Sequence, residues 1–173
     1  MKKKSSDVIV KALILSLILM VVSLIGGFAH LQFTTWFKWL PTIIQVVVII
    51  IFCIQYGKQQ TDGVTFGKVF GYGFKISLFV SVLMIVYTLL SFYVIFPEFT
   101  EQALQQARAS MEAKGNLSED QIDQGMAMTK KFMQPVPISI FAFLATLFFG
   151  TIASLLGAAF TKKREPDVFL DKP

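Results

Sequence analysis

The sequence predicts an all-α fold: an integral membrane four-helix transmembrane bundle with an extracytoplasmic helical hairpin between spans three and four. Three observations predict it. Four blocks of the 173-residue chain, at 12–28, 39–56, 76–96 and 136–161, carry no charged residue. Only 16% of residues are charged and 54% are hydrophobic, against roughly 25% charged in ordinary soluble domains. The charges that remain are gathered in the gaps between the blocks. A helix of about 20 residues crosses the roughly 30 Å hydrocarbon core, and each block is near or above that length. A membrane β-barrel would need apolar/polar alternation over about ten-residue segments, whereas these blocks are apolar on every side. One membrane domain over 1–173 is expected, with spans at about 10–30, 39–56, 74–96 and 136–161, an amphipathic interfacial segment at 65–73, an outer helical loop at 97–135 and a cytoplasmic tail at 162–173.

The first span follows a basic arm (Lys2, Lys3, Lys4) and ends near Gly27-Phe28-Ala29, a small-x-small pattern that mimics a secretory cleavage site. Its apolar block is longer than a usual signal core, so a retained span is expected. Ala12, Ser16, Met20, Ser23 and Gly27 form a stripe of mostly small residues along it. Lys11 at its inner end, like Lys75 before span three, is expected to snorkel to the membrane surface on its long stem. His30, the only histidine, reads as an interfacial residue rather than a ligand.

The second span opens on Trp36, Phe37 and Trp39 and closes on Tyr56, aromatic rings that favour the headgroup level. Gln45 is its most polar group and needs a partner inside the protein. Cys53 is the only cysteine, so neither an internal disulfide nor a cysteine-based metal site is available.

The stretch DGVTFGKVFGYGFKIS at 62–77 imitates a phosphate-binding loop. A Walker loop has four residues between its glycines and then Lys with Ser or Thr. Here three residues separate Gly63 from Gly67, and Val69 follows Lys68. The helical period fits better. Phe66, Phe70 and Phe74 recur every four residues, with Gly67 and Gly71 beside them and Lys68 and Lys75 seven apart. On a helix that gives an aromatic ridge, a glycine groove for close approach to another helix, and a basic side facing anionic headgroups. Thr65 is the expected N-cap.

Span three carries Ser77, Ser81, Met84, Thr88 and Ser91 at alternating four- and three-residue steps; span four carries Ala142, Thr146, Gly150, Ser154 and Ala158 at every fourth residue. Small residues let helices approach closely in lipid, and their hydroxyls can bond across to neighbours. Gln45, Ser77, Ser81, Thr88, Gly150, Ser154 and Ala158 are therefore the candidates for helix packing or for a polar lining. Between these spans, the loop at 97–135 is polar and helix-prone. It divides at Gly115-Asn116, a turn signal. Leu104, Ala107 and Met111 share one face before the turn. After it, Ser118 and Gln121 form a capping box, and Ile122, Met126, Thr129 and Met133 form a second face. Met111, Met126, Met128 and Met133 are soft thioethers, but their spacing is that of apolar faces, with no His or Cys to assist. No metal or cofactor is expected.

Lysine and arginine counts orient the chain. Eleven lie in the N-terminal arm, the second loop and the tail; five lie in the first and third loops, and the third loop also holds six acids. By the positive-inside rule both termini are expected to be cytoplasmic. The net charge of +5 follows from this asymmetry, and no nucleic-acid partner is expected.

TFGKVFGYGFKISLF resembles the corresponding segment of the bacterial membrane family of domain of unknown function 4199. The basic arm, four spans, long helical loop and TKKREP tail extend that resemblance over nearly the whole chain. It implies a four-helix protein of the bacterial inner (cytoplasmic) membrane, in a Bacteroidota-type envelope, and brings no activity or functional residues with it. No ionisable group lies deep in a span, as transport and intramembrane catalysis usually require. The expected function is therefore a non-enzymatic interaction or scaffold component. Its partners would be the lipid bilayer, a possible second copy, and an envelope protein docking on 97–135. The alternative is a small transporter or channel subunit acting as an oligomer, with a wet path past Gln45, Ser81 and Thr88.

Overall fold

The computed structural model describes residues 2–60, 64–115 and 117–161. Expectations resting on the side chains of Lys2, Lys3 and Lys4, on Gly63, on Asn116 and on the tail 162–173 lie outside what it describes. Among the described residues the chain is all helical. The long helices are α1 (Lys2–Phe28), α2 (Thr35–Lys58), α3 (Phe66–Leu90), α4 (Phe99–Glu112), α5 (Glu119–Phe132) and α6 (Pro135–Phe160). A 3₁₀ turn, Leu31–Phe33, joins α1 to α2, and a π-helical turn, Ser91–Ile95, ends α3.

Four stretches are long and apolar enough to cross a membrane: Ser6–Phe28, Thr35–Lys58, Phe66–Ile95 and Pro135–Phe160. At 1.5 Å per residue, even the shortest, of 23 residues, exceeds the hydrocarbon thickness. This is a multi-pass membrane protein. The third stretch joins the expected interfacial segment and span three in one helix. The helix runs unbroken from Phe66, because neither Gly71 nor Gly73 interrupts the pattern of apolar side chains that packs it.

The described residues group into two compact units, and α3 and α6 contribute to both. The first unit, Met1–Leu83 with Ala145–Pro173, holds α1, α2 and most of α3 and α6. Its core is Ala12, Leu15, Ile49, Cys53, Ile76 and Val80, each at most 1% exposed. The α1–α2 reversal is local. His30 adopts the left-handed conformation (φ 54°) just past the end of α1, where a helix commonly terminates, and Thr34 Oγ1 donates to Leu31 O at 2.6 Å. Phe37 then lies against Gly26 so closely that a β-carbon at Gly26 would run into its ring. Of the aromatic cluster at the start of α2, Phe37 is therefore buried, while Trp36 and Trp39 stay exposed.

The second unit, Met84–Leu144, is built around α4 and α5. Ala103 and Ile122 are its buried apolar residues on these helices. Met111 reaches Gly125, where a β-carbon would come within 3.2 Å of its Sδ. The expected capping box is formed: Ser118 N donates to Gln121 Oε1 at 3.0 Å, and Gln121 N to Ser118 Oγ at 3.4 Å. Gly115 turns the chain between the two helices with φ 66°, in the region that favours glycine.

Candidate functional site

The polar groups of the first unit form two sets: a seam between α2, α3 and α6, and a charged cluster joining α1, α2 and α3.

Glycines make the seam. A β-carbon at Gly73 would lie 2.6 Å from Cys53 Sγ and 2.7 Å from Ser154 Oγ. One at Gly150 would lie 2.6 Å from Ser77 Cβ, and one at Gly157 2.6 Å from Cys53 Cβ and 3.3 Å from the Ile50 Cα. Gln45 Nε2 donates to Thr146 O at 2.7 Å, so the most polar residue of α2 finds its partner on α6. The seam gathers Gln45, Ser77, Gly150 and Ser154 at one place; Ser81 and Ala158 are buried along the same helices. Thr88 belongs to the second unit, where it donates to Met84 O at 2.7 Å.

The hydroxyls seldom bond across helices as the sequence led us to expect. Ser16, Ser77, Ser81 and Ser154 donate to Ala12 O, Gly73 O, Ser77 O and Gly150 O, each four residues back on its own helix. Between helices, Ser77 Oγ also lies 3.5 Å from Ser154 Oγ. In an apolar surround an unpaired hydroxyl is costly, and on a helix the carbonyl one turn earlier offers a partner; Ser91 Oγ is buried without one.

At Gly67 and Gly71, where a glycine groove was expected, no other described helix of this chain approaches. A β-carbon at either would meet nothing within 4 Å. The face of α3 that meets its neighbours instead carries Val69, Tyr72, Gly73 and Ile76, all buried. The aromatic ridge is real: the Phe66 and Phe70 centroids are 6.4 Å apart, and those of Phe70 and Phe74 5.9 Å. Lys68 and Lys75 are exposed.

The charged cluster was not foreseen. Tyr56 and Tyr72 stack with centroids 4.1 Å apart. The Tyr72 hydroxyl donates to Asp7 Oδ2, a residue on α1. Lys11 Nζ lies 3.5 Å from the same carboxylate oxygen, 5.2 Å from the Tyr72 ring centroid and 5.3 Å from that of Phe52. The ammonium is sealed from solvent and makes no well-directed hydrogen bond; its contact with Asp7 is an ion pair only. Lys11 therefore turns inward under two rings, with 13% of its side chain exposed, where snorkelling outward was expected. The Tyr72 and Phe52 faces attract a cation, and Asp7 supplies the counter-charge. The available signal was the i, i+4 spacing of Asp7 and Lys11 at the start of an otherwise apolar helix.

Chemically, the cluster can hold three helices together through one carboxylate and one ammonium. Among the described residues no group of three or more His, Cys, Asp or Glu side chains comes together as a metal site.

The family model described as protein of unknown function (DUF4199) matches residues 11–163. No curated protein and no solved structure matches the chain. The match covers both sets of polar groups except Asp7.

Proposed function

The chain belongs to the DUF4199 family, and from that premise we propose that it is a non-enzymatic interaction or scaffold component of the bacterial inner membrane. In this reading the four apolar helices form a bundle with both termini cytoplasmic. The α4–α5 pair is then an extracytoplasmic hairpin that offers its polar faces to an envelope protein. The exposed Lys68 and Lys75 sit at the cytoplasmic headgroups beside the Phe66–Phe70–Phe74 ridge.

One observation carries the preference for packing over transport. Two polar residues on the expected solute path, Gln45 and Ser81, are closed off: Gln45 is 4% exposed and Ser81 0%, and each has its hydrogen bond inside the protein. A solute path needs polar groups that water can reach.

Photo-crosslinkers at Glu101, Gln105 and Asp120 in native membranes test the partner surface. A discrete heterologous adduct from these positions, absent from a crosslinker at Lys75, is expected. Adducts with further copies of the chain alone would overturn the scaffold reading. For orientation, Lys114→Cys should label from outside intact cells and Gln60→Cys only after permeabilisation.

A further inference from the structure

The end of α5 is more apolar than a water-facing helix needs. Met128 and Phe132, one turn apart, are 65% and 54% exposed, while Ile122 is buried and Gly125 lies against Met111 of α4. Two residues after α5, α6 begins at Pro135 and enters one of the membrane-crossing stretches. The Phe132 ring packs edge-on against Phe141 of α6, with centroids 6.1 Å apart. Phe141 lies six residues into α6. Side chains on a helix lean toward its N-terminus, so this ring lies over the first turns of the span, about 5 Å or more along it. Phe132 thus reaches the level of residues that face lipid, and Val136, Ile140 and Phe141 on that part of α6 are likewise more than half exposed.

We propose that the last turn of α5 is a membrane anchor. Met128 and Phe132 insert into the same leaflet that the start of α6 enters, and Lys131 on the flank of this face meets the phosphate groups of the lipid. The occupant of the apolar face is a bilayer. The face adjoins the exposed apolar surface of α6 through the Phe132–Phe141 contact, and the basic last turn, Lys130 and Lys131, suits anionic headgroups. The acidic residues of α5, Glu119, Asp120 and Asp123, lie away from the anchored end and stay in water. The hairpin of the scaffold reading is then tethered at one end, which leaves its polar faces for a partner; the anchor itself needs no partner to exist.

The test places a nitroxide spin label on the full chain at Met128→Cys, Phe132→Cys and, as the polar control, Asp123→Cys. The protein is reconstituted in vesicles of phosphatidylcholine and phosphatidylglycerol. Cys53 stays in place, since it is fully buried and an unsubstituted chain measures any background label. Oxygen concentrates in lipid and a charged nickel chelate in water. Labels at 128 and 132 should collide with oxygen several-fold more than with nickel, and the ratio should invert at 123. Nickel access at 128 and 132 equal to that at 123 overturns the proposal. So does spin–spin broadening at 132 that disappears on dilution with unlabelled chain, because the face is then covered by a second copy. Phe132→Trp in a chain whose Trp36 and Trp39 are replaced by Phe, with brominated lipids, gives an independent readout that needs no cysteine, and quenching by acrylamide but not by bromine overturns the proposal equally.

Discussion

In the first unit, helices come together where side chains are missing; in the second, a small buried core of Ala103 and Ile122 is rimmed by polar side chains that water can reach. Gly73, Gly150 and Gly157 let α2, α3 and α6 touch at backbone distance, and the serines there bond back to their own helices. Lipid offers no hydrophobic drive between apolar helices, so close packing must supply the attraction, and an unpaired polar group is costly. In the α4–α5 pair the helix start is capped by Ser118 and Gln121. The charges Arg108, Glu112 and Asp123 pair at the surface. Water satisfies whatever the protein does not, so small errors there are forgiven. The difference predicts a steep gradient in what substitutions cost.

The largest effect is expected at Gly157. A leucine there puts its β-carbon 2.6 Å from Cys53 Cβ and 3.3 Å from the Ile50 Cα, and backbone cannot swing aside as a flexible side chain can. Gly157→Leu should cost about 3 kcal/mol, at the upper end for overpacking, read as the unfolding midpoint in mixed micelles titrated with a denaturing detergent. Gly71→Ala, with nothing within 4 Å, should be stabilising by up to about 1 kcal/mol, the helix preference of alanine over glycine. Equal losses at the two positions would break the claim that glycine spacing here marks helix contact.

The next effect belongs to the charged cluster. Asp7→Asn leaves the Lys11 ammonium sealed without a counter-charge. Removing one partner of a fully buried pair costs about 3–5 kcal/mol, and because Asp7 is 41% exposed a loss of about 2 kcal/mol is expected. Lys11→Met leaves a carboxylate that water and the Tyr72 hydroxyl still reach, and should cost less, about 1 kcal/mol, in the range of a cation over aromatic rings. The double variant should be more stable than Asp7→Asn alone. Strict addition of the two losses would mean that the residues act separately and that the sealed ion pair has no energetic reality.

A smaller effect is expected in the second unit. Ser118→Ala removes one half of the capping box and should cost about 1 kcal/mol, seen as faster amide exchange confined to the first turn of α5. Exchange that rises through α1 and α2 as well would mean that the two regions are not independently held.

The features legible in the sequence are those set by residues on one helix. The four spans, the inward face of Ile122, Met126, Thr129 and Met133, the capping box and the Phe66–Phe70–Phe74 ridge all follow from local spacing, and the structure forms each of them. The features that were missed depend on which side of a helix its neighbours occupy. In a soluble protein, polarity marks the outer side. In a span both lipid and protein are apolar, so Gly71 and Gly73 look alike, yet one faces open space and the other Cys53 and Ser154. Lys11 was misread for the same reason. A lysine near a helix end reaches water unless rings from other spans cover it, and Phe52 and Tyr72 lie 41 and 61 positions away in the chain. Asp7 carried the only local clue, through its spacing from Lys11.

The smallest effect is expected at Arg108, and its smallness is informative. The hydrogen bond from its Nε to Glu112, 2.9 Å long, followed by the charge of Asp123, holds the guanidinium above its ordinary range. A basic group raised on folding stabilises the fold fully below its unfolded pKa and loses that contribution only as pH rises through the folded value. For arginine this window lies far above neutrality, so the guanidinium contributes no pH dependence anywhere the protein is handled. The pair is fully exposed, and salt screens such contacts over about 8 Å at physiological ionic strength. Arg108→Gln should therefore leave the unfolding midpoint unchanged at physiological salt and lower it slightly, if at all, when salt is withdrawn. A clear loss at physiological salt would show that Arg108 is held by something heavier than Glu112 and Asp123. The contrast between a sealed ion pair that matters and a wet one that does not would then fail at its wet end.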